Sequence, residues 1–412
     1  MSDKPGWDLE EFDGGITSVP GFLAAGVEAG IKKRGKDLAL VYSRTEAAAA
    51  GMFTTNRVQA APLLVTKEHL RTGRIQAVVV NSGVANACTG EEGLAQARRM
   101  AEVTAEVLGL RPERVAVAST GVIGVPLPLA AVEAGIRRAA AELSSSREAG
   151  RAAATAIMTT DTRPKEAAVR LRLADRTLTV AGMAKGAGMI HPQMATMLAF
   201  LATDAPISPE ALRPLFVRAV DRTFNQITVD GDTSTNDLAL LLANGAAAGP
   251  VLAGEADLKA LEAALENVCR RLAKALVADA EGATKLITVE VRGAADEAQA
   301  RRAARAVAGS NLVKAAVFGA DPNWGRILAA LGYSGAEFDP AAVSVVLEGQ
   351  GEREAVCAGG RGLAFDESRV RRILAGPEVT IVADLGAGPA SARAWGCDLS
   401  YDYVRINAAY RT

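Results

Sequence analysis

Short apolar segments alternate with longer helical stretches along most of this chain, and this alternation restricts its fold more than any other feature. Six apolar segments bounded by Gly, Asn, Asp or Ser are typical of buried strands: 38–42, 75–80, 115–118, 286–291, 343–347 and 379–383. Four Ala-, Arg- and Glu-rich stretches have the period of a helix: 93–108, 129–143, 258–278 and 295–307. The pattern predicts an α/β fold.

The length of the chain, 412 residues, predicts two or three structural units rather than one. Residues 244–255 are rich in Gly and Ala and contain Pro250, so they are the best candidate for a loop or a boundary between units. The 46 Lys and Arg against 47 Asp and Glu leave no global basic field for nucleic acid or anionic lipid. Without a signal-like N-terminus or an apolar run of about 18 residues, we expect a cytoplasmic protein that does not enter a membrane.

Histidine and cysteine are scarce, and their scarcity excludes several kinds of site. Only His69 and His191 are present, too few for a multi-histidine metal centre. The cysteines lie far apart and form no Cys-x-x-Cys pair, which argues against a zinc ribbon, an iron–sulfur cluster or a thioredoxin-like motif: Cys88, Cys269, Cys357 and Cys397. We therefore expect reduced, mostly buried thiols and no metal site.

Three segments approach known motifs without meeting their requirements. Residues 30–36 read G-x-x-x-x-G-K, but Asp37 replaces the Ser or Thr of a phosphate-binding loop, so we expect a turn between two strands. Gly386 begins a dinucleotide-type loop in which Ser391 occupies the position of the third glycine. The run D-G-D-T-S-T-N-D at 230–237 lacks the spaced Glu of an EF-hand, and a hydrogen-bonded turn is the expected structure.

The strongest chemical signal lies in the segment 185–200, which reads K-G-A-G-M-I-H-P-Q-M-A-T-M-L-A-F. Small residues precede a single hydroxyl, Thr196, and an apolar stretch follows it, which predicts a tight turn and a buried strand. Gly186 and Gly188 allow a ligand or another chain segment to lie against the backbone. A threonine hydroxyl needs a base to become a nucleophile, and this chain has almost no histidine. If the peptide bond between Ala195 and Thr196 were broken, the freed α-amine, with an ordinary pKa of about 8, would supply that base.

Sequence blocks in the same order along most of the chain resemble the ornithine acetyltransferase family, the glutamate N-acetyltransferases of arginine biosynthesis. The segment 185–200 is the hallmark of that family. Seven further blocks agree: N-S-G-V-A-N-A-C-T-G from Asn81, S-T-G-V-I-G from Ser119, T-T-D-T from Thr159, V-D-G-D-T-S-T-N-D from Val229, E-G-A-T-K from Glu281, D-P-N-W-G-R from Asp321 and Y-V-R-I-N-A-A-Y-R-T ending at Thr412. The resemblance implies layered sheets flanked by helices, as in N-terminal-nucleophile enzymes, with a smaller α/β unit in the C-terminal half.

The resemblance also implies an activity and a maturation step. The precursor would cleave itself between Ala195 and Thr196, giving an α chain of residues 1–195 and a β chain of residues 196–412. Thr196 would then take the acetyl group of N2-acetyl-L-ornithine and pass it to L-glutamate through an acetyl-threonine, giving L-ornithine and N-acetyl-L-glutamate. The Thr120 hydroxyl and the Gly121 N–H would form the oxyanion hole, as matching residues do in the family.

Substrate-binding residues are implied by the same positional match: Thr159, Lys185, Thr196, Glu281, Asn407 and Thr412. Thr160 is so close to Thr159 that either threonine of this block fits the role. A lysine suits the carboxylate that both substrates carry, and Glu281 suits the cationic group of ornithine. The resemblance further implies an α2β2 assembly, no cofactor, and acetyl-CoA as an additional substrate of some family members.

Two alternative functions stay open on the sequence. A self-cleaving aminopeptidase or amidase of related fold would hydrolyse the acyl-threonine instead of transferring its acyl group. A non-catalytic α/β protein that binds small amino acids would never be cleaved. Cys88 has no basic or histidine neighbour in sequence that would activate it, so we expect a packed thiol there. His191, five residues before Thr196, is expected to be a bystander or to make a positional hydrogen bond.

Overall fold

Two sheets flanked by helices make up the computed structural model, which describes residues 6–191 and 197–409. Among these residues, the strands of the first sheet are β1 (Asp8–Phe12), β2 (Phe22–Val27), β3 (Leu38–Phe53), β4 (Arg74–Val84), β5 (Val115–Val122), β6 (Lys165–Arg172), β7 (Thr177–Lys185), β8 (Leu198–Thr203) and β10 (Leu238–Ala243). Their order is β1-β6-β7-β8-β10-β3-β4-β5, and β2 pairs with β3. The pairs β8–β10 and β4–β5 are parallel, and the other pairs are antiparallel.

Strand β3 joins the two halves of this sheet. Its residues 38–42, 47 and 48 pair with β4, with a register shift between Tyr42 and Ala47, and its residues 48–53 pair with β10. Helices α1 (Ala61–His69), α2 (Gly90–Leu108) and α3 (Leu129–Ala141) pack on the half with β4 and β5, while α5 (Pro209–Asp221) and α6 (Glu255–Ala278) pack on the other half. Side chains that point the other way from both halves, such as Val80 and Phe200, share one core with α4 (Arg147–Ala156). The two halves therefore face each other, with helices outside.

The second sheet belongs mainly to the C-terminal part of the chain. Its order is β14-β13-β12-β15-β11-β16-β9, made of β9 (Ile227–Thr228), β11 (Leu286–Ala294), β12 (Ser344–Gly349), β13 (Glu352–Ala358), β14 (Arg361–Gly362), β15 (Glu378–Asp384) and β16 (Ala390–Cys397). Four helices pack around a separate apolar core: α7 (Glu297–Gly309), α8 (Asn311–Phe318), α9 (Trp324–Gly332) and α10 (Glu367–Ala375). Helix α11 (Tyr401–Ala409) follows β16.

The elements and the fold class predicted from the sequence are confirmed. The six predicted strands overlap β3, β4, β5, β11, β12 and β15, and the four predicted helices overlap α2, α3, α6 and α7. The strand expected after Thr196 is β8, whose residues are all buried. The layered α/β arrangement with a smaller C-terminal α/β unit is also observed. Residues 244–254 connect β10 to α6 without helix or strand, and the domain boundary at 244–255 stays a prediction.

The turn expected at residues 30–36 lies between β2 and β3, and the buried Asp37 carboxylate fills it. Asp37 Oδ2 accepts the N–H groups of Gly30 at 3.1 Å, Ile31 at 2.7 Å and Lys32 at 2.9 Å. The backbone donors that a phosphate would need are therefore already occupied. The rejection of a phosphate-binding loop here has a physical cause that the sequence alone did not show.

The cysteine predictions are confirmed in part. Cys269, Cys357 and Cys397 are buried and reduced. The prediction of a packed thiol at Cys88 is wrong, because Cys88 is exposed. Asn86 and Cys88 adopt φ angles of +49° and +57°, so the chain turns sharply before α2 and presents this side chain at the surface.

Neither a membrane-spanning helix nor a metal-binding cluster is present in the described part of the chain. Helix α6, with 24 residues, carries charged side chains along its length. No helix described here is long and apolar enough to cross a membrane. Within residues 6–191 and 197–409, no group of three or more His, Cys, Asp and Glu side chains is arranged to hold a metal ion.

Candidate active site

A single cleft brings together the predicted site residues that the structure describes. It encloses about 120 Å³ and its lining includes Thr120, Gly121, Thr159, Thr160, Lys185, Glu281 and Asn407. These residues come from the ends of β5 and β7, the loops after α4 and α6, and helix α11. Ala195, Thr196 and Thr412 lie outside the described residues. Met197, the next residue after Thr196, is buried immediately before β8.

Lys185 is a buried basic residue of the cleft, whereas most lysines lie at the protein surface. It is 3% exposed, and its Nζ donates to Thr159 Oγ1 at 2.9 Å and to Thr120 Oγ1 at 3.2 Å. Burial lowers the pKa of Lys185, against Asp161, which raises it. An ammonium has three donors, and acceptors among the described residues take two of them. Lys185 thus joins the end of β5 to the T-T-D-T block.

The turn at Thr120 and Gly121 adopts a conformation that favours glycine. Gly121 has a φ of +132°, and a Cβ there would collide with the backbone of Gly83 in β4. Asn236 supports the same strand end, since its Nδ2 donates to the Ser119 carbonyl oxygen at 2.8 Å. These contacts make the end of β5 rigid, which is what preorganised stabilisation of a transition state requires.

Glu281 is one of the acidic residues that line the cleft, and it packs against the glycine turn after β7. Its N–H donates to the Ala187 carbonyl oxygen at 2.9 Å, and a Cβ at Gly188 would collide with its carboxylate. The expectation that another segment lies against this turn is confirmed. Asn407 Nδ2 donates to Glu281 Oε2 at 2.9 Å. Helix α11 therefore holds the carboxylate in place.

A buried ion network next to the cleft was not predicted from the sequence. Lys165 Nζ donates at 2.6 Å to Asp161 Oδ1 and at 2.6 Å to Asp279 Oδ2. Asp161 Oδ1 also accepts the N–H of Gly186 at 2.7 Å. Burial by itself would raise the pKa of Asp161, but Lys185 and Lys165 outweigh it and lower that pKa to about 2. Asp161 is therefore an anion that fixes the start of the glycine turn.

Two further cleft residues, Tyr403 and Asp230, were not singled out by sequence reasoning. Tyr403 Oη donates to Asp230 Oδ2 at 3.2 Å, and Asp230 accepts the N–H groups of Met189 at 2.5 Å and Ile190 at 2.9 Å. Burial raises the pKa of Asp230, and the backbone donors oppose this. The hydrogen-bonded turn predicted for 230–237 is confirmed.

Both histidines make structural hydrogen bonds. His191 Nδ1 lies 3.1 Å from Thr228 Oγ1, the positional contact expected for this residue, and His69 Nδ1 lies 2.7 Å from the Val115 carbonyl oxygen. A second, larger cavity of about 940 Å³ lies over β3 between α1 and α5. Its lining contains none of the predicted site residues, so the small charged cleft is the candidate active site.

Comparison with known proteins gives a consistent family assignment. A profile described as the ArgJ family matches residues 23–412. The arginine biosynthesis bifunctional protein ArgJ of Symbiobacterium thermophilum is 57% identical over 408 residues, covering 98% of this chain and 100% of that protein. The protein of the same name from Caldanaerobacter subterraneus is 51% identical and covers 98% and 100%. The crystal structure of ornithine acetyltransferase from Mycobacterium tuberculosis, complexed with ornithine, is 45% identical with a TM-score of 0.42, over 45% of this chain and 98% of that chain.

These matches decide between alternative functions that the sequence left open. The predicted resemblance is confirmed, and so is the prediction of an acyltransferase of arginine biosynthesis. A non-catalytic amino-acid-binding protein is excluded. The chain belongs to the ArgJ family.

Proposed function

We propose that the chain transfers the acetyl group of N2-acetyl-L-ornithine to L-glutamate through an ester on Thr196. The observation that carries this proposal is the presence of a basic and an acidic side chain, Lys185 and Glu281, in the lining of one cleft, which Asp230 and Asp232 also line. N2-Acetyl-L-ornithine has an α-carboxylate and a side-chain ammonium, so its charges complement both. Charge-assisted hydrogen bonds of this kind are the strong ones in a binding site.

Lys185 would bind what the donor and the acceptor have in common. Both N2-acetyl-L-ornithine and L-glutamate carry a carboxylate next to the nitrogen that loses or gains the acetyl group. One buried ammonium therefore orients the reacting nitrogen of either substrate at the same place. Thr159, Asn407 and Thr412 complete the proposed substrate contacts.

The proposed chemistry uses the Thr196 amine as the base. This amine takes the proton of its own Oγ, and Oγ attacks the acetyl carbonyl carbon. The negative charge that develops on the acetyl oxygen would be stabilised by the Thr120 hydroxyl and the Gly121 N–H. The proton then passes to the ornithine nitrogen as the carbon–nitrogen bond breaks. Glutamate reverses these steps and leaves as N-acetyl-L-glutamate.

A free amine at Thr196 requires prior cleavage of its peptide bond to Ala195. We propose an α chain of residues 1–195 and a β chain of residues 196–412 that remain in one folded body. The antiparallel pairing of β7 with β8 supports this, since it runs across the cleavage position from Lys185 opposite Leu198 to Val180 opposite Thr203. The chains would assemble as cytoplasmic α2β2 and act without a metal or cofactor.

A second acetyl donor, acetyl-CoA, is also proposed. The relatives at 57% and 51% identity are both named bifunctional. An acetyl thioester would acylate Thr196 by the same attack and release the thiol. The check is formation of N-acetyl-L-glutamate from acetyl-CoA and L-glutamate with ornithine absent.

Initial-rate kinetics with both substrates varied test the main proposal. Acetyl transfer through an acetyl-threonine gives parallel double-reciprocal lines, and N-acetyl-L-glutamate forms in step with ornithine. Intersecting lines would contradict a covalent intermediate. Release of acetate in place of N-acetyl-L-glutamate would support the related aminopeptidase or amidase instead.

A further inference from the structure

Asp237 is a fully buried carboxyl group that the proposed acetyl transfer does not use. It lies at the end of the 230–237 turn, directly before β10, and is 0% exposed. Its Oδ1 accepts the N–H of Met197 at 3.0 Å. Its Oδ2 is buried and has no hydrogen-bond partner among the residues that the structure describes. The neighbouring Thr54 hydroxyl donates to the Ser234 carbonyl oxygen at 2.8 Å.

The protonation state of Asp237 follows from this environment. Burial raises its pKa well above the ordinary value, against the Met197 N–H, Lys185 and the Thr54 hydroxyl, which lower it. A raised pKa favours the neutral carboxylic acid, the form that has a proton to donate. Buried polar groups almost always have a hydrogen-bond partner, so an oxygen without one among the described residues requires an explanation.

The position of Asp237 along the chain gives that explanation. The nitrogen of Met197, which Asp237 contacts, is three covalent bonds from the nitrogen of Thr196. The carboxyl group thus contacts the residue that directly follows Thr196, whose own nitrogen must gain a proton when the bond to Ala195 breaks. The next residue towards the N-terminus, Asn236, donates to the Ser119 carbonyl oxygen at 2.8 Å. Two consecutive side chains, Asn236 and Asp237, therefore connect the end of β5, where the proposed oxyanion hole lies, to the residue after the cleavage position.

We propose that Asp237 donates the proton that the Thr196 nitrogen takes up during self-cleavage. This inference rests on the self-cleavage in the proposed function. A bond forms between Thr196 Oγ and the Ala195 carbonyl carbon, and the bond from that carbon to the Thr196 nitrogen breaks. Asp237 gives its proton to the nitrogen and is reprotonated by the proton that Oγ loses. Water then hydrolyses the ester, which restores the hydroxyl and leaves Ala195 with a free carboxylate.

Asp237→Asn separates proton donation from backbone support. The amide keeps an oxygen that accepts the Met197 N–H, but it does not release a proton to an amine. General acid catalysis contributes about 100-fold to 10,000-fold, so we expect cleavage of this variant to slow by about 100-fold or more. Asp204→Asn is the matched control, because Asp204 is also buried, accepts the Thr179 N–H at 2.7 Å, and lies at the opposite end of β8 from the cleft.

The experiment follows radiolabelled full-length chain during cell-free translation and measures its conversion to two chains. Wild type and Asp204→Asn should be cut at the same rate, and Asp237→Asn should remain intact with the protease resistance of Thr196→Ala. Cleavage of Asp237→Asn less than about tenfold slower than wild type would overturn the proton-donor role and leave the proposed function standing. An intact wild-type chain, or a cut Thr196→Ala chain, would overturn the proposed function itself.

A second measurement does not depend on the folding of any variant. If a proton moves as the carbon–nitrogen bond breaks, wild-type cleavage is slower in D2O than in H2O. We expect this slowing in wild type and in Asp204→Asn alike. Equal wild-type rates in the two solvents would overturn the proposal.

Discussion

The two sheets differ in how deeply their ion pairs are buried. Beside the cleft of the first sheet, the side chains of Lys165 and Asp161 are 1% and 0% exposed. Around the second sheet, ion pairs lie at the surface, as for Arg372 and Glu352, whose side chains are 55% and 33% exposed. Burying a charged side chain costs free energy unless oppositely charged and hydrogen-bonding partners surround it, whereas surface ion pairs contribute little to stability. Buried ion pairs therefore mark the region around the cleft, whereas buried charge as such does not, since Lys314 in α8 is 1% exposed and donates to the Cys397 carbonyl oxygen at 2.5 Å.

The largest effect is expected from Thr196→Ala, which should abolish both cleavage and acetyl transfer because it removes the proposed nucleophile. A denaturing gel and an ornithine-release assay measure the two. Thr196→Ser is the control, since serine retains a hydroxyl beside an α-amine, and it should be cut. Retained transfer in Thr196→Ala would place the nucleophile elsewhere.

The second-largest loss of activity is expected from Lys185→Met. It removes the cleft cation while keeping an apolar stem, and we expect kcat/KM for both substrates to fall by about 100-fold to 1000-fold. Steady-state kinetics measure the change, with the melting temperature as a check on folding. An effect on only one substrate would show that Lys185 does not bind their common carboxylate.

Thr120→Val tests the oxyanion hole. One of two donors is lost, so kcat should fall by about 100-fold with little change in KM, because the interaction is made in the transition state. Single-turnover acetylation of Thr196 measures the chemical step. A rise in KM at constant kcat would identify Thr120 as a ground-state contact instead.

Asp161→Asn tests the buried network through the pH profile. Asp161 raises the pKa of Lys185, and removing that charge lowers it further. Protonated Lys185 binds the carboxylate, so kcat/KM is lost as pH rises through this pKa, and the alkaline limb should move to lower pH. The asparagine keeps an acceptor for the Gly186 N–H. An alkaline limb that stays in place or moves to higher pH would contradict the electrostatic role of Asp161.

The smallest effect is expected in the second sheet. Arg372→Ala breaks the surface pair with Glu352, in which two donors each lie 3.0 Å from the carboxylate. Because the pair is solvated, activity and melting temperature should match wild type within error. A loss of activity comparable to that of Asp161→Asn would remove the distinction between the two sheets.

Local sequence patterns predicted part of the fold, namely β3, β4, β5, β8, β11, β12, β15 and helices α2, α3, α6 and α7, and the family resemblance supplied most of the cleft. Short apolar segments identified those strands. The sequence blocks identified Thr120, Lys185 and Glu281, which come together in the structure. Strand β3 was predicted only for 38–42, because the polar residues 43–46 interrupt its apolar run at the irregular register.

The partners of the buried charges were beyond sequence reasoning. Lys165 and Asp279 are 114 residues apart, and neither lies in a block that suggested chemistry. Tyr403 reaches Asp230 across 173 residues. Such pairs exist only after the sheet and helix ends meet, so period, composition and spacing carry no signal for them. Asp237 lies in a recognised block, but its raised pKa comes from burial, which spacing does not show.

Intact-mass spectrometry of active protein mixed with N2-acetyl-L-ornithine alone tests the central claim most directly. We predict two masses, for residues 1–195 and 196–412, with one acetyl group on the second chain only, located on Thr196 by fragmentation. Adding L-glutamate should remove that group and yield N-acetyl-L-glutamate. A single full-length mass in active protein, or an acetyl group on another residue, would contradict a mechanism in which self-cleavage creates the catalytic amine.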